Sequence, residues 1–311
     1  MNKTRIKIGT RGSKLALAQS NMIREAIIKE HPDTIVELIT IKTKGDKIID
    51  SPLSKIGGKG LFVKEIEEAL LEGRVDMAVH SIKDVPAELP QGLIIPFFPK
   101  RENPSDAFLS IKYNKLSDLP EGSKVGTGSL RRSSQLLNKR PDISIVPIRG
   151  NVDTRIKKLE TDELDAVILA ASGLNRLGLS SKIKELLPPL DFIPAVGQGA
   201  LGIEVREDDS PCHKLIEFLN HGETALAVRA ERAFLKKLEG GCQAPIGAFA
   251  FIDGKEIVIH GMISELNGEK IIRDSLTGKS EEPEKAGEDL AARLLDMGAD
   301  KILAEIYERE L

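Results

Sequence analysis

Apolar residues alternate with polar ones near the start of the chain, from Arg5 to Gly9, and this period of two predicts a strand. A helical period follows from Ser13, then a β-branched run from Thr34 to Ile41, a helix from Leu61 to Leu71 and an apolar strand from Met77 to Val79. A similar succession starts again at Val125, with a helix from Ser129, a strand from Ile143 to Val146, a helix from Asn151 and a strand from Ala166 to Leu169. Strands alternating with helices in this way define an α/β fold. The proline-rich string Pro96 to Pro104 separates the two sets, and Ile193 to Gly197 forms a similar break after the second. Two such crossings predict a discontinuous first domain, with a hinge and a cleft between two lobes. No internal repeat and no low-complexity tract is visible.

Near His221 the pattern changes. The helical stretch Thr224 to Leu238 ends at Gly240-Gly241, three strand-like runs follow, and an amphipathic helix starts near Glu284. These features predict a third, smaller α+β domain. The expected division is residues 1–99 with 195–219, residues 100–194, and residues 220–311. A length of 311 residues suits several domains, and 41% hydrophobic with 30% charged content is that of a soluble globular chain. No apolar run approaches the ~20 residues that cross a bilayer, so no membrane partner is expected. The first residues carry charge with no apolar stretch behind them, which reads as a cytoplasmic protein without a cleaved leader.

The net charge of −3 conceals a division along the chain. From Lys124 to Lys158 there are nine Lys or Arg against two Asp or Glu, and residues 281–311 carry ten acids against four bases. Positive charge gathers where the glycine turns are, as a bound polyanion requires. Gly126-Thr127-Gly128-Ser129-Leu130-Arg131-Arg132 runs from a strand through a glycine turn into a helix, offering N–H groups, hydroxyls and two guanidiniums to an anion. Turns of the same type recur at Arg149-Gly150-Asn151 through Arg155 and at Gly9-Thr10-Arg11-Gly12-Ser13, where Ser13 also suits a plain N-cap. Three such turns, each with arginine, predict a ligand bearing several carboxylates or phosphates. By contrast, Gly197 to Gly202 satisfies GxGxxG but leads into a strand, Ile203-Glu204-Val205, which excludes a dinucleotide site.

His80-Ser81-Ile82-Lys83-Asp84-Val85-Pro86 follows an apolar strand, so its polar groups fall where an α/β sheet places ligands. Asp84 is the acid/base candidate; capping of a short helix or pairing with Lys83 is the structural alternative. The glycine-rich basic string Leu53 to Leu61, with Lys55 and Lys59, suits a flap or a plain surface loop. Cys242, between Gly240-Gly241 and Pro245, follows a helix end that does not favour a thiolate, which suits an inert thiol or a covalent attachment point better than a hydrolytic nucleophile. The other cysteine, Cys212, and the five histidines lack the spacing of a metal site, so no metal is expected.

Taken in order, Gly58-Lys59-Gly60-Leu61-Phe62, His80 to Pro86, Ser129-Leu130-Arg131-Arg132, Arg149-Gly150-Asn151-Val152, Pro194 to Gly199 and Glu239 to Gln243 resemble the porphobilinogen deaminase family over nearly the whole chain. The resemblance implies two lobes like a periplasmic binding protein plus a third domain carrying the cysteine. It implies a transferase that joins four porphobilinogen units head to tail into hydroxymethylbilane, releasing ammonia, in tetrapyrrole (haem, porphyrin) biosynthesis. It implies a dipyrromethane cofactor held by a thioether to Cys242, its carboxylates gripped by Ser81, Lys83, Thr127, Ser129, Arg131, Arg132, Gly150 and Arg155, with Asp84 beneath the ring nitrogens. Substrate carboxylates fall to Arg11, Ser13, Arg149, Arg155 and Arg176, with Phe62 and Gln198 close by. A monomer is implied as well. Gly128 stands where the family usually has serine and Ser105 where it often has arginine; the first removes one hydroxyl from the expected cofactor contacts.

Other classes explain less. A two-lobed anion-binding protein without catalysis leaves Cys242 and the third domain idle. A cysteine-dependent acyl transferase lacks a histidine partner in sequence. Nucleic-acid binding fits poorly with 4% aromatics and basic residues set at glycine turns.

Overall fold

Short runs with period two form the strands of the computed structural model, which describes residues 4–43, 63–161, 164–238 and 244–308. In chain order the first elements are β1 (Arg5–Thr10), α1 (Lys14–Glu30), β2 (Ile35–Thr40), α2 (Lys64–Leu71), β3 (Met77–Ser81) and β4 (Leu93–Phe97). Next come β5 (Asp106–Leu109), β6 (Lys124–Gly126), α3 (Leu130–Lys139), β7 (Ser144–Val146), α4 (Val152–Thr161), β8 (Ala166–Ala170), α5 (Ala171–Arg176), β9 (Glu185–Leu187) and β10 (Leu201–Arg206). The chain continues with α6 (Ser210–Ile216), α7 (Gly222–Lys237), β11 (Ile246–Asp253), β12 (Glu256–Ser264), β13 (Ile271–Lys279), α8 (Pro283–Leu294) and α9 (Asp300–Glu308). By density of contacts it divides into residues 1–102 with 200–225 and residues 103–199 with 226–311.

The first unit is built on a sheet in the order β2-β1-β3-β10-β4, parallel through β2, β1 and β3, with β10 antiparallel to both its neighbours. Apolar side chains cover both its faces. Ile8, Met77 and Ile203 meet Ile23 and Ile27 of α1 and Ile216 of α6, while Ala78 packs with Ile66 and Leu70 of α2. A sheet covered on both faces buries its central strands, which is why Met77 to Val79 lacks alternation.

In the second unit a sheet runs β7-β6-β8-β5-β9, parallel through β7, β6 and β8, with β5 antiparallel to β8 and β9. The two sheets share one plan: three parallel strands, then an antiparallel one. In the first the antiparallel strand comes late in the chain, and in the second it comes first. Phe108, Val125, Leu136 and Phe192 fill one face, and Leu109, Ile156, Val167 and Leu174 the other.

β11, β12 and β13 form an antiparallel meander whose apolar face packs on Phe234 of α7 and on Leu290 and Leu294 of α8. The single final helix expected from the pattern is broken in two. Gly298 takes φ 100°, a left-handed conformation open to glycine, and the chain restarts as α9. No helix among the described residues is long and apolar enough to cross a membrane.

Candidate active site

In both α/β sheets the polar turns emerge beyond the carboxyl ends of the parallel strands, where this architecture leaves room for a ligand. In the first sheet β1 delivers Arg11 and Ser13. Ser13 caps α1, its Oγ accepting a hydrogen bond from the Ala16 N–H at 3.2 Å, so the capping role is real. At the end of β3, Ser81 points to the α1 side, where Gln19 Nε2 donates to its Oγ at 2.9 Å. A single 3-10 turn, Ile82–Asp84, follows; buried Ile82 anchors it and leaves Asp84 exposed. Arg11, Ser13, Gln19, His80, Ser81 and Asp84 line one small pocket of about 60 Å³.

Alternation along β3 sends His80 to the opposite face from Ser81. There its Nε2 lies 2.8 Å from Glu204 Oε2 on neighbouring β10, with the two residues only 6% and 1% exposed. Glu67 of α2 belongs to the same buried cluster. Burial first, then the charge of Glu204, pushes its carboxyl up to about 7, against the opposing pull of His80.

In the second sheet Ser129 caps α3, accepting from the Arg132 N–H at 3.4 Å, while the Ser129 N–H donates to Thr127 Oγ1 at 3.2 Å. The two arginines behind this cap depart from the expected open cradle. Arg131 and Arg132 are 4% and 5% exposed and converge on Asp106, which is wholly buried. Arg132 Nη2 lies 2.7 Å from Asp106 Oδ1, and Arg131 Nη2 lies 2.9 Å from Oδ2, an ion pair without hydrogen-bond alignment. Gln198 Nε2 donates to Asp106 Oδ1 at 3.0 Å and its Oε1 accepts from Arg132 at 3.4 Å. Burial alone would raise the Asp106 carboxyl; the charges of Arg131 and Arg132 and the bonds from Arg132 and Gln198 overcome it and hold it at about 2. The turn before Gln198 is fixed by buried Glu231, which accepts from the Gly197 N–H at 2.6 Å and the Ala250 N–H at 2.8 Å.

Two guanidiniums against one carboxylate leave a formal charge of +1 in this buried cluster, and Arg131 Nε has no hydrogen-bond partner among the described residues. Both features suit an anionic group. Beside the cap, the Ile148 N–H donates to the Thr127 carbonyl at 3.4 Å and brings the Arg149-Gly150 loop alongside. Gly150 adopts φ 103°, and Arg155 Nε donates to its carbonyl at 2.8 Å. Arg176, at the end of α5, donates to the Gly199 carbonyl at 2.7 Å. Phe62, Lys55, Lys59 and Cys242 lie outside the described residues.

Residues 6–214 match the family model for the porphobilinogen deaminase dipyromethane cofactor binding domain, and residues 225–296 match that for the porphobilinogen deaminase C-terminal domain. The chain belongs to the porphobilinogen deaminase family. Porphobilinogen deaminase of Nitratidesulfovibrio vulgaris (strain Miyazaki F) is 52% identical over 308 residues, covering 97% of each chain. That of Geotalea uraniireducens is 53% identical over 306 residues, covering 98% of this chain and 96% of the relative. Among solved structures, the methionine binding protein MetQ aligns at TM-score 0.45 and 16% identity over 70% of this chain and 89% of its own.

In this member of the family, Gln19, Glu204 and Asp106 escape a reading of the sequence, and His80 is passed over for its neighbour Asp84. Three of them carry a signal. His80 and Glu204 interrupt otherwise apolar strands, and a polar residue at a buried strand position needs a partner. Asp106 opens the apolar run Ala107-Phe108-Leu109 in the same way.

Proposed function

We infer that this protein condenses four porphobilinogen molecules head to tail into hydroxymethylbilane with release of ammonia, as a transferase of tetrapyrrole biosynthesis. The match of two porphobilinogen deaminase family models, in order, across residues 6–296 carries this reading. The bound dipyrromethane supplies the pyrrole end at which the chain of rings grows. Cys242 holds it through a thioether, and Ser81, Lys83, Thr127, Ser129, Arg131, Arg132, Gly150 and Arg155 bind its acetate and propionate groups. The excess positive charge around Asp106 and the unpaired Arg131 Nε support that assignment.

Arg11, Ser13, Arg149, Arg155 and Arg176 orient the carboxylates of incoming substrate, with Phe62 and Gln198 close by. Asp106 keeps Gln198 and Arg132 in fixed positions, so neither must be ordered when a ligand arrives. Asp84 is the catalytic carboxylate. Exposed on the pocket wall and pinned by the turn before it, it offsets positive charge on the pyrrole and takes up protons. Three domains, residues 1–99 with 195–219, 100–194 and 220–311, form a cytoplasmic monomer with no nucleic-acid or membrane partner.

Incubation with porphobilinogen tests the reading. Ammonia release, with a product that closes to a uroporphyrinogen, is the expected result. Tight binding of porphobilinogen without turnover would replace it with an anion-binding protein.

A further inference from the structure

The pocket that holds Asp84 has a second ionisable wall which the proposed chemistry does not use. His80 lines the same pocket as Arg11, Ser81 and Asp84. Its Nε2 is bonded to Glu204, and Nδ1 has no partner among the described residues. An imidazole that lines the pocket with one nitrogen held by a buried carboxylate has its ring orientation fixed, as proton transfer requires. Strand register sets this arrangement. His80 sits opposite Gly202, and Glu204 lies two residues further along the same face of β10. A side chain at Gly202 would collide with Ile82 at 2.4 Å and Ile95 at 2.7 Å, so this face keeps a glycine next to the pair.

We propose that His80, positioned by Glu204, is a second proton-transferring residue of the site, working beside Asp84. The proposal rests on the deaminase reading above. In each condensation the aminomethyl C–N bond breaks and its electron pair leaves with nitrogen as ammonia. A C–C bond forms to a neighbouring pyrrole, whose C–H bond then breaks, its electron pair returning to the ring. The proton so released ends on the ammonia as ammonium. Two groups are better placed than one to receive that proton and pass it on before the next substrate binds. The charged groups around His80 are Glu204 on β10, Glu67 on α2 with Glu68 behind it, Arg11 at the exit of β1, and Lys83 and Asp84 in the turn after β3; β4 contributes none. Glu67, whose carboxyl titrates near neutrality, adds negative charge to the cluster as pH rises.

The test is the full-length, cofactor-loaded protein assayed for kcat and KM on porphobilinogen from pH 5.5 to 9 in three forms: wild type, His80→Ala and Glu204→Gln. His80→Ala should lower kcat by about 10²-fold or more, the scale of a lost acid–base group, while KM stays within about threefold. Free imidazole in the buffer should restore at least about tenfold of that loss, a recovery that a merely structural role would not give. Glu204→Gln preserves a hydrogen bond to the ring and removes only charge; it should lower kcat by about tenfold across the pH profile while KM stays within about threefold. Turnover of His80→Ala within about threefold of wild type, or a loss that imidazole leaves untouched, would overturn the proposal. If His80→Ala does not fold, Glu204→Gln decides alone, and a profile identical to wild type overturns it. A wild-type chain inactive on porphobilinogen would instead bring down the deaminase reading and this proposal with it.

Discussion

Arg132 and Asp106 form an ion pair, 2.7 Å apart, with both side chains almost wholly removed from solvent. The pair joins the first turn of α3 to the first residue of β5. Because β5 runs antiparallel to β8, with Asp106 opposite Ala170, its beginning lies at the carboxyl end of the parallel strands. An acid placed there meets whatever the neighbouring glycine turn delivers. Folding supplies this carboxylate before any ligand binds, so the two arginines are already ordered.

Asp106→Asn should therefore destabilise the fold by about 3 to 5 kcal/mol, since one partner is lost and two guanidiniums stay buried. The Asp106 carboxyl is depressed to about 2 against an ordinary value of 3.8. Its stabilisation is thus complete above the unfolded value and is lost as pH falls from about 4 through 2. Urea unfolding at pH 7 and pH 3 should show this acid-dependent loss in the wild type and a smaller one in Asp106→Asn.

Glu67 titrates in the opposite sense, its folded pKa of about 7 lying above the ordinary 4.5. The folded state then holds a proton that the unfolded state has released, so stability falls as pH rises from about 4.5 to 7 and stays lower beyond. Glu67→Gln should flatten that decline and be more stable than wild type at pH 8, which thermal melts at pH 5 and pH 8 would measure.

Much of this architecture is legible in the residues, and the losses have identifiable causes. The strands that start at Arg5 and Met77, the helix that opens at Ser129 and the Ser13 cap follow from local pattern alone. β4 is hidden by Pro96, which stands within the edge strand Leu93–Phe97, and β5 and β9 are too short to show a period. The common plan of the two sheets is invisible because their antiparallel strands enter from different places in the chain. Arg131 and Arg132 read as an open anion cradle since nothing local to their turn announces Asp106, 26 residues before Arg132.

Gly128→Ser tests the departure from the family pattern at the second glycine of the turn. A Cβ there would sit 2.6 Å from the Ile148 carbonyl oxygen, a backbone atom that can yield only by shifting the loop before Arg149. The substitution should cost about 1 to 3 kcal/mol, in the range for overpacking, read as a lowered Tm with the fold retained.

Asp84→Asn should fold and keep its cofactor, because the side chain is exposed and its turn is anchored by Ile82. Turnover should fall by about 10²-fold or more as charge disappears and shape persists. Steady-state rates beside an intact mass that still carries the adduct would separate lost chemistry from lost cofactor.

Burial, with Asp209 and Asp76 nearby, pushes the Cys212 thiol up to about 12, so at pH 8 it is protonated and unreactive. In Cys242→Ser it should escape iodoacetamide in the native protein, react in denaturant, and fail to take over cofactor attachment.

The central claim, a deaminase loaded through Cys242, is tested most directly by the mass of the purified protein under denaturing conditions, with peptide mapping around residue 242. The account predicts a mass excess equal to a two-ring pyrrole adduct, carried by the peptide containing Cys242. A chain that is unmodified, and stays so after porphobilinogen is added, would contradict it.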